Sequence, residues 1–251
     1  MQKSYESNYA IELKGISKVF GTVVANDNIN LNIKYGEILA LLGENGSGKT
    51  TLMNMLSGIY YPDAGTISIA GNDISIGSPN DAIDYGIGMI HQHFKLVDVF
   101  SAMDNIVLGT KGKYEKPKIL KEKILNISNK FGLEIEPEKK IYNMSVSEKQ
   151  TVEIMKVLYR GAQILILDEP TAALDPVAEY EIYTKFNEIV GKRTAVYISH
   201  RLSSCRFCDE IAVFHEGEMI EQGSHEELLA NKKGKYSELW NTQAQYYLKN
   251  A

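Results

Sequence analysis

Residues 43–50 read Gly43-Glu44-Asn45-Gly46-Ser47-Gly48-Lys49-Thr50 and fit the pattern G-x-x-x-x-G-K-[ST] at every position. No other stretch constrains the chain as much. The pattern has chemical meaning only between a strand and a helix. Residues 38–42 before it are an apolar run fit for a buried strand, and 51–56 after it read as the opening of a helix. Glycines in such a loop let successive backbone N–H groups curl around a phosphate. Lys49 adds a point charge for the outer phosphates, the Thr50 hydroxyl can reach a Mg2+ ion, and the helix start contributes its partial positive charge. Gly43, Asn45, Gly46, Ser47, Gly48, Lys49, Thr50 and Thr51 are thus the expected phosphate-binding set.

The rest of the composition is permissive. A length of 251 residues suffices for one sizeable core with a small appended lobe, and 44% hydrophobic with 24% charged residues is ordinary for a soluble globular protein. A formal net charge of −5 gives no general basic field, which argues against nucleic acid as the main partner but leaves a local nucleotide pocket open. No apolar run approaches the roughly 20 residues of a membrane-spanning helix. Met1-Gln2-Lys3-Ser4-Tyr5-Glu6 does not have the character of a signal peptide, so a cytoplasmic chain is expected unless a partner holds it at a membrane. Cys205 and Cys208 have the spacing of a redox pair or half a zinc site, yet no second Cys or His pair stands nearby to complete four ligands. Two small half-buried helix residues are expected instead.

Stretches 10–13, 23–33, 66–69 and 88–91 read as strands. From about 93 to 159 the character turns helical. Ser101 can cap a helix over 102–108, and Pro117 can open one whose Leu120, Ile124, Ile127 and Phe131 form a single apolar stripe ending at Gly132. A third helix is expected from Ser147 to about Tyr159. Strands return at 163–167, 194–199, 210–214 and 218–222, followed by a capping box, Ser224-His225-Glu226-Glu227, and by packing aromatics Tyr236 and Trp240. Apolar strands without alternation, separated by helices, indicate a parallel sheet buried on both faces.

One of those strands, Ile164-Leu165-Ile166-Leu167-Asp168-Glu169, ends in two carboxylates. It is expected beside the phosphate-loop strand, which brings Asp168 to the C-terminal edge of the sheet where Mg2+ would sit. Glu169 is the candidate to orient a water, or accept its proton, for attack on the γ-phosphate.

The phosphate loop, Asp168-Glu169 followed by Pro170-Thr171-Ala172-Ala173-Leu174-Asp175, and Ile198-Ser199-His200-Arg201 together resemble the ATP-binding cassette (ABC) ATPases over nearly the whole chain. That resemblance implies an α/β fold: a RecA-like P-loop core with a small antiparallel β-lobe (1–92 and 160–251) and an inserted α-helical subdomain (93–159), with ATP and Mg2+ as ligands. It implies that Phe20, in Ser17-Lys18-Val19-Phe20-Gly21, stacks on adenine. It likewise implies that Gln92 joins core to helical lobe and senses the γ-phosphate and the metal's water, that Asp175 reaches a second subunit, and that His200 hydrogen-bonds the γ-phosphate. The signature segment departs from the family's Leu-Ser-Gly-Gly-Gln. Here it is Met144-Ser145-Val146-Ser147-Glu148-Lys149-Gln150, in which Ser145 keeps the key hydroxyl and Ser147 stands where a glycine permits close backbone approach.

A signature helix in the helical lobe and a phosphate loop in the core do not meet on one ATP within one chain. A head-to-tail pair of cassettes, identical or not, closes with two composite sites. Residues up to about 162, notably 86–94 and 145–148, resemble the ATPases of nucleoside or simple-sugar importers, whereas 197–204 and 243–247 resemble the ATPase domains of peptide or multidrug exporters. In this family the region around Gln92 and the helical lobe receives integral membrane permease subunits, and here that region is importer-like. An importer subunit at the cytoplasmic face of the membrane is favoured, with the face around Phe94 to Phe100 as the docking segment, although the importer branch usually carries two cassettes in tandem. An exporter ATPase and a soluble ABC ATPase of translation or repair are the alternatives.

Overall fold

A computed structural model describes residues 7–111, 115–168, 186, 188–191, 193–199, 202–205 and 207–249. Strands β1 (Tyr9–Phe20) and β2 (Val23–Lys34) form a hairpin. After β3 (Ile38–Gly43), the chain adds β4 (Ala64–Ile69) and β5 (Asn72–Ile74) to complete an antiparallel sheet of order β2-β1-β4-β5. Strands β6 (Ile87–Ile90), β7 (Ile164–Asp168), β8 (Thr194–Ser199), β9 (Glu210–His215) and β10 (Glu218–Gly223) join β3 in a second sheet of order β10-β9-β3-β8-β7-β6. Within it β9, β3, β8, β7 and β6 run parallel, and β10 is antiparallel to β9.

The period of two along a strand explains why these strands are apolar throughout. Leu39, Leu41, Ile164, Ile166, Val196, Ile198, Ala212 and Phe214 face helix α1 (Lys49–Leu56) and the antiparallel sheet in one core. Their alternate neighbours face the other way. Leu165, Leu167, Ala195 and Tyr197 pack under helices α3 (Ala102–Val107), α4 (Pro117–Lys130) and α5 (Val146–Tyr159), while Ala40, Leu42, Ile211 and Val213 pack against Leu202, Cys205 and Tyr236. Helix α2 (Pro79–Asp84), which the sequence reading passed over, is capped by Ser78 and opened by a proline.

Two placements correct the expectations. Strand β7 is not beside β3, because β8 lies between them, with Leu41 and Asp168 both paired to Ile198. Helix α5 starts at Val146 rather than at Ser147: the Ser145 hydroxyl accepts from Glu148 N–H, and Glu148 accepts in return from Ser145 N–H. Ser145-x-x-Glu148 is itself a capping box, which fixes the start. Among the described residues no helix is long and apolar enough to cross a membrane.

Cys205 is buried in the short helix Leu202–Cys205, and Cys208 sits half-buried just beyond it. Burial pushes the Cys208 thiol well above its ordinary pKa, with Cys205 and Asp209 adding to the shift, so the reactive thiolate is suppressed at neutral pH. Iodoacetamide at pH 7 is therefore expected to label the folded chain far more slowly than the urea-unfolded chain. Equal labelling rates would contradict this packing role.

Candidate nucleotide-binding site

The C-terminal ends of the parallel strands lie side by side, with Leu42 paired to Ser199, Ile198 to Asp168 and Leu167 to Ile90. The loop that leaves β3 turns into α1 at this edge. Two of its glycines are required sterically. A Cβ on Gly48 (φ +99°) would lie 2.2 Å from the Ala25 carbonyl oxygen and 2.6 Å from Asn26 Nδ2, and one on Gly43 would lie 2.3 Å from the Phe214 carbonyl oxygen. At Gly46 (φ +82°) a Cβ would meet nothing within 4 Å, so the loop is tightly backed by β2 and β9 and open on its outer side. Gly48→Ala combines strain with backbone overlap and is expected to cost about 3 kcal/mol of stability. A thermal melt unchanged by this substitution would contradict the packing behind the loop.

Lys49 is buried, and its Nζ spans the loop mouth, donating to the carbonyls of Gly43 and Glu44 at 2.9 Å each and to Ser47 Oγ at 3.2 Å. Serines cap α2, α3, α5 and the helix His225–Ala230, but Gly48 caps α1 in a left-handed conformation with no side-chain hydrogen bond. A helix start without a side-chain cap offers first-turn N–H groups, such as that of Thr51, to an anion. Thr50 Oγ1 lies 3.5 Å from Oδ1 of the buried Asp168, across the end of β8. A hydroxyl and a carboxylate, both hard oxygen donors, at the mouth of a phosphate cradle fit Mg2+.

Phe20 ends β1 and is 42% exposed, with its ring edge-on to Tyr60, so it is not a core residue. Gln92 is exposed two residues beyond Ile90, at the same sheet edge. The following segment is fastened to the helices. Glu153 on α5, 2% exposed, accepts from Lys95 N–H at 2.6 Å and from Lys156 Nζ at 3.0 Å, while Asn105 on α3 accepts from Val97 N–H at 2.8 Å. Leu96 packs partly against the helical core, whereas Val99 and Phe100 are exposed. Ser145 caps α5, and the Lys139 ammonium, with the Ser145 N–H, holds the Glu148 carboxyl below its ordinary pKa. Ser147 stands inside the first turn, beside N–H groups that a helix leaves unpaired. Glu169, Asp175 and His200 lie outside the described residues.

Three contributors escape motif reading. Asn26, fully buried, donates its Nδ2 to the Gly48 carbonyl at 3.2 Å and backs the loop; Asn105 and Glu153 anchor the segment after Gln92. The signal available was polarity at inward positions: Asn26 stands among the apolar buried residues of β2, and Glu153, with Gln150 one turn before it, among those of α5.

A family model described as ABC transporter matches residues 26–172. The chain is 46% identical over 218 residues to the guanosine import ATP-binding protein NupO of Bacillus subtilis, covering 84% of this chain and 42% of that protein. It is 46% identical over 216 residues to the nucleoside import ATP-binding protein NupA of Lactococcus lactis, covering 84% and 43%. The chain thus spans less than half the length of these curated relatives. Among solved structures, CbiO1 of Clostridium perfringens, part of the ABC transporter complex CbiONQ, superposes with a TM-score of 0.79 at 29% identity over 90% of this chain and 93% of that one. The six-stranded sheet, the antiparallel sheet beside it and the helices between β6 and β7 are the arrangement of an ABC ATPase cassette, and the chain belongs to the ABC transporter family.

Proposed function

We propose that the chain binds and hydrolyses ATP as the motor of an importer of the nucleoside or simple-sugar type, working through integral membrane permease subunits from the cytoplasmic face of the membrane. The observation that carries this is the meeting at one sheet edge of a buried lysine across a glycine-built loop and a Thr50–Asp168 pair 3.5 Å apart, in a chain whose relatives are named for nucleoside import. Gly43–Thr51 backbone amides and Lys49 bind the phosphates. Thr50 and Asp168, with Gln92 close by, hold Mg2+, which when bound neutralises charge on the β- and γ-phosphate oxygens. Phe20 stacks on the base, Glu169 orients the attacking water and takes its proton, and His200 fixes the γ-phosphate. Ser145, with the α5 amides beside Ser147, and Asp175 act across a head-to-tail interface on the nucleotide of a second cassette, identical or not. The helical region 93–159 moves as a lobe against a core of 1–92 and 160–251, with Gln92 at the joint.

Docking of the permease falls on 93–100, where Val99 is 66% and Phe100 38% exposed. Photo-crosslinkers at Asp98 or Val99 in cells are expected to capture an integral membrane permease. Capture of ribosomal or DNA-bound proteins instead would overturn the transport reading.

A further inference from the structure

Phe20 stands at the tip of the β1–β2 hairpin, and what surrounds it is charged as well as aromatic. The β1–β4 ladder ends where Ser17 pairs with Ala64, and Asp63 extends it by donating its N–H to the Ser17 carbonyl at 2.9 Å. The Asp63 carboxylate accepts from Lys18 Nζ at 2.8 Å and from Val19 N–H at 2.7 Å, at the point where the register between β1 and β2 shifts. Lys18, held this way, keeps its Nζ 5.4 Å over the centre of the Phe20 ring, and Tyr60 meets that ring edge-on at 5.1 Å. One face of the ring thus lies under a cation while much of the ring stays open. A cation over one face of an aromatic ring also draws on its π density, which favours an electron-rich purine stacked on the other face.

The same segment is tied to the phosphate end of the site. Ile59 and Tyr60 both donate their N–H groups to the Asn54 carbonyl of α1, at 2.8 and 3.1 Å. The helix that opens at Lys49 therefore also fixes the turn that carries Tyr60 and Asp63. Resting on the nucleotide reading above, we propose that Asp63 is a positioning residue for the nucleobase: through Lys18 and the Val19 amide it sets the Phe20 ring at a defined reach from the phosphate loop, where the base of a purine nucleoside triphosphate stacks. An exposed ion pair that merely staples the hairpin would contribute little and would not distinguish ligands.

The distinguishing experiment titrates the purified chain with ATP and, separately, with inorganic tripolyphosphate, which offers the phosphates without base or ribose. Asp63→Ala is expected to raise the Kd for ATP about tenfold, within the range that base stacking contributes, while the Kd for tripolyphosphate stays within about twofold. Unchanged tripolyphosphate binding also reports that the variant is folded. Lys18→Met and Asp63→Asn, each of which keeps an acceptor for the Val19 N–H but loses the ion pair, should both fall between. Equal weakening of both ligands, or of neither, would overturn the assignment of Asp63. Failure of the unsubstituted chain to bind either ligand would instead remove the nucleotide reading, and this inference with it.

Discussion

Glu169→Gln is expected to bind ATP within about twofold of the parent chain while turning it over roughly 10²- to 10⁴-fold more slowly, the range that a lost general base produces. The amide keeps the size and the hydrogen-bonding reach of the carboxylate but does not take a proton from the attacking water. Lys49, Thr50 and Asp168, the proposed phosphate and metal ligands, are untouched by the change. A second consequence follows from the shared site. On the proposed head-to-tail pairing, blocked hydrolysis leaves the γ-phosphate joining the phosphate loop of one cassette to Ser145 of another, so light scattering at saturating Mg·ATP should show the mass doubling. Parallel loss of affinity and turnover would remove Glu169 from the role of base, and a mass that stays monomeric would mean either that Ser147 disables the signature segment or that the importer-like and exporter-like surfaces do not match across the pair.

Lys49→Ala acts on the other term. The Lys49 ammonium is the one cation placed by the described residues of the loop itself, at hydrogen-bond distance from the Gly43 and Glu44 carbonyls across its mouth. Deleting it leaves those oxygens facing a polyanion with only backbone amides to attract it. Charge-assisted hydrogen bonds contribute about 1.5–3 kcal/mol each, so ATP affinity is expected to fall roughly a hundredfold. Arginine is not expected to restore binding, since its planar fork does not fit where a compact ammonium meets three converging acceptors. Isothermal titration of both variants, with melting curves to confirm folding, checks the prediction; affinity unchanged in Lys49→Ala would place the phosphates elsewhere.

Much of this site is legible in the sequence because it is local. The loop, the apolar run before it and the acidic end of β7 each lie within one short stretch, and each encodes its own backbone. Strands β8 and β9 are found within a residue of their expected ends, since uninterrupted apolar runs admit few alternatives. What the local pattern lacks is spatial order. Nothing in residues 164–168 says that β8 intervenes between β7 and β3, and the short contact from Thr50 to Asp168 spans that strand. The start of α5 is encoded locally by the capping box Ser145-x-x-Glu148, two residues ahead of the helix start expected at Ser147 from its place in the signature segment. Asn26 and Asp63 were invisible for another reason: each acts on a residue distant in sequence, Asn26 on Gly48 and Asp63 on Lys18 and Val19, and only the fold brings them together.

Phosphate release by the purified chain, followed at saturating ATP as Mg2+ is raised from zero, tests the central claim most directly when Lys49→Ala is measured alongside. If Lys49, Thr50 and Asp168 form the site described here, release rises with Mg2+ to a plateau in the parent chain, disappears on chelation and is absent from the variant at every Mg2+ concentration. Release that is indifferent to Mg2+, or that persists in Lys49→Ala, would contradict it.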